Sequence, residues 1–234
     1  MKFGWVMVFF WCICFAVGIS TKVYPAELPV WQGFYVDGQF GDAVGEHTLS
    51  YNLNKPDFHV EIYSIPQAGS VQAIGLGYRH TILKSRLYWG LQAMGYFGTL
   101  SGTEEWSLLQ GHVGTEVSFS AQTVYTTSVE LGYAFAPRWY GYIQGGIAGA
   151  QVSLSGEGKF FNLHVADSAN GWALGTYVAL GVKYDLGNNW DIGAAYQEFQ
   201  FAGSQDVVLW GRNFGSLDAT EDIEQIVVTI SYRF

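Results

Sequence analysis

Three features of the sequence predict an all-β fold, namely an eight-stranded antiparallel up-and-down transmembrane β-barrel. Charged residues make up only 13% of the chain, whereas aromatic residues make up 17% and glycines number 30. This composition fits many half-buried strands joined by turns. Apolar residues alternate with small or polar ones in segment after segment, as strands with two different faces require. At the end of the chain every second residue from Ile226 to Phe234 is apolar.

Charge and cysteine content exclude several classes of protein. The formal net charge is −9, which argues against nucleic-acid binding because that function needs a basic surface. Cys12 and Cys14, the two cysteines of the sequence, both lie in the N-terminal apolar run. The rest of the chain therefore offers no disulfide and no thiolate metal site. Beyond that run no apolar stretch reaches the ~18 residues that a helical membrane span needs.

The N-terminus has the pattern of a secretory signal peptide. Met1 and Lys2 precede an almost wholly apolar run, which ends at a polar break after Ile19. We predict a signal peptide over residues 1–20, with cleavage after Ser20 or as late as Ala26, followed by the barrel over 27–234. The alternative is an uncleaved membrane anchor.

Alternation and turn residues divide the remaining chain into eight strands. We predict them at residues 31–41, 70–80, 87–100, 124–136, 139–152, 172–185, 190–201 and 223–234. The connections at 81–86, 137–138 and 186–189 are short, and those at 42–69, 101–123, 153–171 and 202–222 are long. This alternation of short turns and long loops is typical of an up-and-down transmembrane barrel.

The two faces of the strands differ enough to predict which one points outward. The sixth strand places a row of apolar residues from Trp172 to Tyr184 on one face, and Lys183 on the other. A cationic side chain at the middle of the lipid face costs ~2–4 kcal/mol. The charged face must therefore point into the barrel. The fifth strand, 139–152, is rich in glycine and its facing is left open.

Two motifs at the ends of the predicted barrel carry a family resemblance. The first is the run Trp31-Gln-Gly-Phe-Tyr-Val-Asp-Gly38, which has the pattern W-x-G-F-Y-x-x-G, and the second is the terminal Tyr232-Arg233-Phe234. Together they resemble the small eight-stranded outer-membrane β-barrel proteins of proteobacteria, which include opacity-type surface proteins and the alphaproteobacterial "porin family". The resemblance implies an integral outer-membrane location and periplasmic termini. It also implies that Tyr232 and Phe234 form an assembly signal for the barrel-assembly machinery.

The lumen of such a barrel is just wide enough for side chains to fill. We predict that its polar residues form a hydrogen-bonded plug, in which Glu130 pairs with Arg79 across the lumen. A proton or ion path is the alternative. The members of the predicted lumen network are Asp37, Arg79, Gln92, Glu130, Gln144, Lys183 and Arg233, and Asp191 and Gln197 are further inward candidates.

No combination of residues predicts catalysis, a cofactor or a metal. Known lipid A deacylases place a His and a Ser close together on late strands, but no histidine follows His164. The histidines show neither metal-ligand nor nucleophile–base spacing. A weak metal or haem contact by His47 and His59 is the alternative for the first loop.

These observations predict a monomeric, non-catalytic surface protein with a role in envelope integrity or adhesion-like contact. The expected surroundings are outer-membrane lipid and lipopolysaccharide, with host or extracellular proteins as partners of the acidic loops. The alternative is binding or transport of a small ligand or ion through loops or lumen. An outer-membrane enzyme acting on lipid A comes third.

Overall fold

The structure, a computed structural model, describes residues 32–53, 59–82, 86–108, 113–160, 163–209 and 212–234, and at the far ends of the strands it describes backbone pairing alone. The expected signal peptide lies outside the described residues. Among those residues no helix is long and apolar enough to span a membrane.

Eight antiparallel strands form one closed barrel in sequence order, which confirms the predicted fold class. The strands are β1 (Gly33–Leu53), β2 (His59–Thr81), β3 (Leu87–Leu108), β4 (Val113–Ala136), β5 (Trp139–Phe160), β6 (Leu163–Gly187), β7 (Trp190–Leu209) and β8 (Arg212–Arg233). The first strand closes against the last, with Tyr35 opposite Arg233 and Phe40 opposite Val228. At the end of this seam the backbone N–H of Phe234 donates to the carbonyl of Phe34 at 3.0 Å.

The turns at one end of the barrel are short, and we call this end the turn end and the opposite one the loop end. Pro137 and Arg138 join β4 to β5, and Asn188 and Asn189 join β6 to β7. Both asparagines have positive φ, 53° and 68°. Two such residues between strands match the twist of a hairpin, and asparagine tolerates this conformation better than most residues.

At the loop end the predicted connections are too long, because the strands continue through most of them. The predicted 42–69 loop, for example, is largely β1 up to Leu53 and β2 from His59. Only residues 54–58 of that loop lie outside the described part of the chain. The alternating pattern fades there because a sheet with water outside no longer needs an apolar outer face, although its backbone still pairs.

The predicted outward faces of β2, β3, β4 and β6 are confirmed by exposure. Ile74, Leu91, Leu131 and Leu174, one from each of these strands, are all at least 48% exposed. Aromatic side chains border this apolar band. At the turn end Trp139 contacts Tyr184 and Trp190 contacts Tyr232, with ring centroids 4.8 and 4.9 Å apart, and at the loop end Tyr125 stacks on Trp172 at 6.1 Å. An apolar band between two aromatic girdles is the lipid-facing surface of a transmembrane barrel.

On β8 the apolar band ends at Ile226. The next outward residues, Glu224 and Asp222, are exposed carboxylates. Ile226–Phe234 supplies the ~9–11 residues that a tilted strand needs to cross a membrane. Residues 212–225 of β8 continue the wall beyond the band. At ~3.3 Å per residue and a tilt of ~40°, this wall rises roughly 35 Å.

Glycines accommodate the large side chains inside the barrel. Several bulky inward residues lie opposite an inward glycine on the neighbouring strand, so that a Cβ there would fall within 2.6 Å of the bulky side chain or, at Gly90, 3.2 Å from it. These register pairs are Tyr35–Gly77, Arg79–Gly90, Tyr88–Gly132, Met94–Gly75, Tyr142–Gly181, Lys183–Gly193 and Phe201–Gly175. A lumen this narrow can hold tyrosine and arginine because the adjacent position on the neighbouring strand is a glycine, which has no side chain.

The fifth strand, whose facing the sequence left open, follows the same alternation. Tyr140, Tyr142 and Gln144 are buried, whereas Ile143 and Ile147 are exposed. Two consecutive glycines in this strand therefore face opposite ways.

These two glycines offer a matched pair of substitutions. In Gly146→Ala the new Cβ would lie 2.2 Å from the carbonyl oxygen of Thr127, whereas in Gly145→Ala it would meet nothing within 4 Å. We expect Gly146→Ala to destabilise the barrel by about 1–3 kcal/mol, since overpacking displaces backbone. Gly145→Ala should leave stability nearly unchanged. Urea unfolding in phospholipid vesicles measures both, and equal losses in the two variants would contradict the assigned facing.

Candidate functional site in the barrel lumen

The structure brings all seven sequence-predicted lumen residues into one network at the turn half of the barrel. Its centre is the ion pair between Arg79 and Glu130, both at most 1% exposed. Arg79 Nε donates to Glu130 Oε1 at 2.7 Å and its Nη2 to Oε2 at 3.4 Å. A two-point contact of this kind fixes orientation as well as distance. The guanidinium carbon also lies 4.0 Å from the centroid of the Tyr35 ring, within cation–π range.

Two glutamines connect this ion pair to the other side of the lumen. Gln144 Nε2 lies 2.8 Å from both Glu130 Oε2 and Gln92 Oε1. Gln92 Nε2 in turn donates to Asp37 Oδ2 at 2.9 Å. Because an amide has both donors and an acceptor, each glutamine transmits the chain of hydrogen bonds without adding charge.

Asp37 is the second charged centre. Lys183 Nζ lies 3.2 Å from Asp37 Oδ1, and Ser231 Oγ lies 2.5 Å from the same oxygen. Lys183 also donates to Ser231 Oγ at 2.8 Å. This triangle joins β1, β6 and β8, so it spans the seam where the barrel closes.

A third centre forms around Asp191. Tyr140 accepts a hydrogen bond from Arg79 Nη1 at 3.1 Å and donates one to Asp191 Oδ2 at 3.2 Å. Arg233 Nη2 lies 3.3 Å from carboxylate oxygens of both Asp191 and Asp185. The last strand is therefore fastened to β6 and β7 by its final residue, Arg233.

Every strand contributes to this connected network. One member from each strand in order is Asp37, Arg79, Gln92, Glu130, Gln144, Lys183, Asp191 and Ser231. Each of its three cations lies beside at least one carboxylate: Arg79 beside Glu130, Lys183 beside Asp37, and Arg233 beside Asp191 and the less buried Asp185. Buried charges persist when they are paired and hydrogen-bonded, and here they are. The arrangement can hold the eight strands together and obstruct the lumen.

Sequence reasoning missed part of the network. Tyr140 and Ser231 are not among the predicted members, because a tyrosine in an apolar pattern and a single serine do not by themselves indicate a hydrogen bond in the lumen. A second chain of amides was also missed in part: Gln225 donates to Gln197, and Gln197 donates to Gln39 at 3.0 Å. Gln39 and Gln225 can be identified from the sequence because they occupy the inward-facing positions in the alternation of β1 and β8.

Tyr232 and Phe234, the predicted assembly signal, lie on the outside at the turn end. Their rings are 5.3 Å apart and nearly perpendicular, and Phe234 is 74% exposed. Their role in assembly stays a prediction. The ring of His80 contacts Trp89 at 6.1 Å. Side chains of His47 and His59 lie outside the described part, and within it no three His, Cys, Asp or Glu side chains are grouped as a metal site needs.

Two further polar residues lie inside the barrel near its loop end. Gln67 and Glu221 are 4% and 3% exposed, and both polar atoms of Gln67 and Oε1 of Glu221 have no hydrogen-bond partner. Glu221 lies beyond the apolar band. Burial and the neighbouring Asp222 raise its pKa from an ordinary 4.5 to about 7.

Breaking the central ion pair tests the structural role of the network. Glu130→Ala should destabilise the barrel by roughly 3–5 kcal/mol, because it leaves the Arg79 guanidinium buried without its carboxylate. Removing both charges in Arg79→Met/Glu130→Leu should recover much of that loss. Urea unfolding in vesicles, followed by tryptophan fluorescence, measures the coupling. Glu224→Gln, which alters an exposed carboxylate on the outer face, is the control and should change stability little. A double variant no more stable than Glu130→Ala would rule out the coupling.

The raised pKa of Glu221 predicts a pH dependence of stability. Between pH 4.5 and about 7 the folded state keeps a proton that the unfolded state has lost, so stability falls as pH rises through this window. The titration of Glu221 contributes about 3 kcal/mol to this fall in the free energy of unfolding. Between pH 4 and pH 8 the free energy of unfolding should therefore decrease less in Glu221→Gln than in the unsubstituted protein. Identical decreases would mean that Glu221 titrates normally.

Comparison with known proteins places this geometry in a family. Residues 13–234 match the family described as outer membrane protein beta-barrel domain. No curated protein matches the chain. Among solved structures, Neisserial surface protein A has 14% identity, with 86% of this chain and 97% of that chain covered and a TM-score of 0.42.

Two further structures are similar at the same level. The outer membrane protein OprG from Pseudomonas aeruginosa has 12% identity, with 88% of this chain and 99% of that chain covered and a TM-score of 0.46. Ail, the attachment invasion locus protein of Yersinia pestis, has 12% identity, with coverages of 84% and 99% and a TM-score of 0.34. Since the family match runs from residue 13 to the last residue, the chain belongs to the outer membrane β-barrel domain family and is an integral protein of the bacterial outer membrane.

Proposed function

We propose that this protein is a non-catalytic surface protein of the outer membrane, with a role in envelope integrity or adhesion-like contact. The observation that carries the proposal is the height of the barrel wall. All eight strands continue past the apolar band, and in this class of protein the loop end faces the outside of the cell. A wall that rises roughly 35 Å above the lipid is not needed to cross the membrane. It does serve to present a surface to other molecules.

The chemistry of this wall favours cationic partners. Asp42, Glu46, Asp222 and Glu224 are exposed on the adjacent strands β1 and β8. Such a surface would meet lipopolysaccharide phosphates through bridging divalent cations, or a basic region of a host or extracellular protein directly. Monomeric insertion by the barrel-assembly machinery, with Tyr232 and Phe234 as its signal, belongs to the same proposal.

Passage of solutes is the competing function, and the lumen network weighs against it. Its side chains are buried and bonded to one another from β1 to β8. A solute would have to separate ion pairs whose members would then be buried without partners. Catalysis on lipid A is not part of the proposal.

A variant with shortened hairpins at the loop end distinguishes the two parts of the proposed role, envelope integrity and adhesion-like contact. A two-residue Asn-Gly turn can replace residues 47–65, 103–118, 154–169 and 204–218. The two residues that flank each of these segments are register partners, so a tight turn can join them. In a strain lacking the protein, we expect the full chain to restore both detergent resistance and adherence to immobilised extracellular-matrix proteins. The shortened barrel should restore the first and lose most of the second.

Folding of the shortened barrel is checked by its heat-modifiable migration on gels. Liposome swelling provides the second readout, and purified protein should admit no sugar-sized solute. The proposal is wrong if neither barrel restores either property, or if the full chain makes liposomes permeable.

A further inference from the structure

The polar residues Gln67 and Glu221 at the loop end of the lumen have no role in the network described above. Arg79, the nearest network residue on β2, is 12 residues from Gln67, on the order of 40 Å along the strand. Its charge is already matched by Glu130. Buried polar groups normally have partners, and an exception calls for a cause. We call Gln67 and Glu221, with the wall between them, the mouth site.

The mouth site is built around a glycine in β1. Gln67 lies opposite Gly45, and Gly45 lies opposite Ile223 on its other side. Glu221 precedes Ile223 by two residues, so it lies on the same inward face and nearer the loop end. With strands ~4.8 Å apart, the α-carbons of Gln67 and Glu221 are roughly 12 Å from each other. Both side chains extend from the inner wall, and Gly45 contributes no side chain between them.

On the β7 side and on the turn side, the neighbours of these two groups are apolar and aromatic. Phe201 lies directly opposite Glu221 in the β7–β8 register and its ring is stacked parallel to that of Phe199, with centroids 6.2 Å apart. Ile223, Val71 and Ala43 are buried on the turn side of the site. A carboxylate oxygen, an amide carbonyl and an aromatic face are the three kinds of group that attract an organic cation.

We infer that the mouth site binds a small primary ammonium ion with a short aliphatic body. The ammonium group donates to Glu221 Oε1 and to the amide oxygen of Gln67, and the aliphatic part packs on Phe201 and Ile223. A divalent metal ion fits less well, because Ca²⁺ takes six to eight oxygen ligands and the described residues bring one carboxylate and one amide here. This binding site is additional to the proposed surface role and does not depend on it.

Protonation of Glu221 should compete with the cation. Its pKa of about 7 means that the empty site holds a proton in mildly acidic medium, and binding must release that proton. The described groups around it are Phe201 on β7, which is uncharged, and Asp222 on its own strand. Its backbone register partner on β1 is His47. Binding is therefore stronger at pH 8 than at pH 6.

Titration of the full-length barrel in detergent with n-butylammonium chloride tests the inference. The readouts are calorimetry and the NMR signals of the Gln67 side-chain amide. We expect saturable binding that shifts those signals, weakens several-fold from pH 8 to pH 6, and is not reproduced by n-butanol. Glu221→Gln should weaken binding at least tenfold and Gln67→Leu several-fold. Glu224→Gln, three residues away on the outer face, should bind as the unsubstituted protein does.

Three results would overturn the inference. They are the absence of saturable n-butylammonium binding, equal binding by Glu221→Gln, and a response to CaCl₂ in place of n-butylammonium. The NMR shifts of Gln67 in the unsubstituted protein decide the question if Glu221→Gln does not fold. Since neither readout involves adherence or detergent resistance, failure here leaves the proposed surface role standing.

Discussion

A backbone amide or carbonyl that faces hydrocarbon without a partner costs several kcal/mol, and this constraint organises the whole chain. It forbids a free sheet edge, so β1 must pair with β8, as it does from Tyr35 opposite Arg233 onward. With eight strands the closed sheet leaves a lumen only as wide as side chains can fill. Closure therefore decides what the interior must contain.

The interior meets two demands at once. It must be filled, and large residues such as Tyr88 and Tyr142 fit because glycines lie opposite them. It must also pair its buried charges, and the Arg79–Glu130 and Lys183–Asp37 contacts do so within one network. The same network lies across the lumen, so the contacts that stabilise the barrel also fill its interior. The proposed surface role therefore depends on the wall beyond the apolar band.

Most of the membrane-embedded fold could be predicted from the sequence, because lipid imposes a strict period of two. The parity that put Lys183 inward also put Glu130 and Arg79 inward, and opposite charges in so narrow a lumen predict their pairing. Beyond the apolar band the outer face no longer contacts lipid, so the sequence need not alternate there. The strand ends near Leu53 and Arg212 therefore could not be predicted from the pattern. Tyr140 was missed because its hydroxyl group joins Arg79 to Asp191 only through three-dimensional placement. The mouth site was missed for the same reason, since Gln67 and Glu221 lie on strands that only closure brings together.

The seam between first and last strands is the claim on which the rest depends. A short thiol cross-linker, applied to the barrel in vesicles with Cys12 and Cys14 replaced by serine, tests it directly. Cysteines at Gly38 and Ile230, which are register partners, should cross-link in high yield. Cysteines at Gly38 and Val178, on a strand that does not neighbour β1, should not. Efficient linking of the second pair, or failure of the first in folded protein, would contradict a barrel closed in this register.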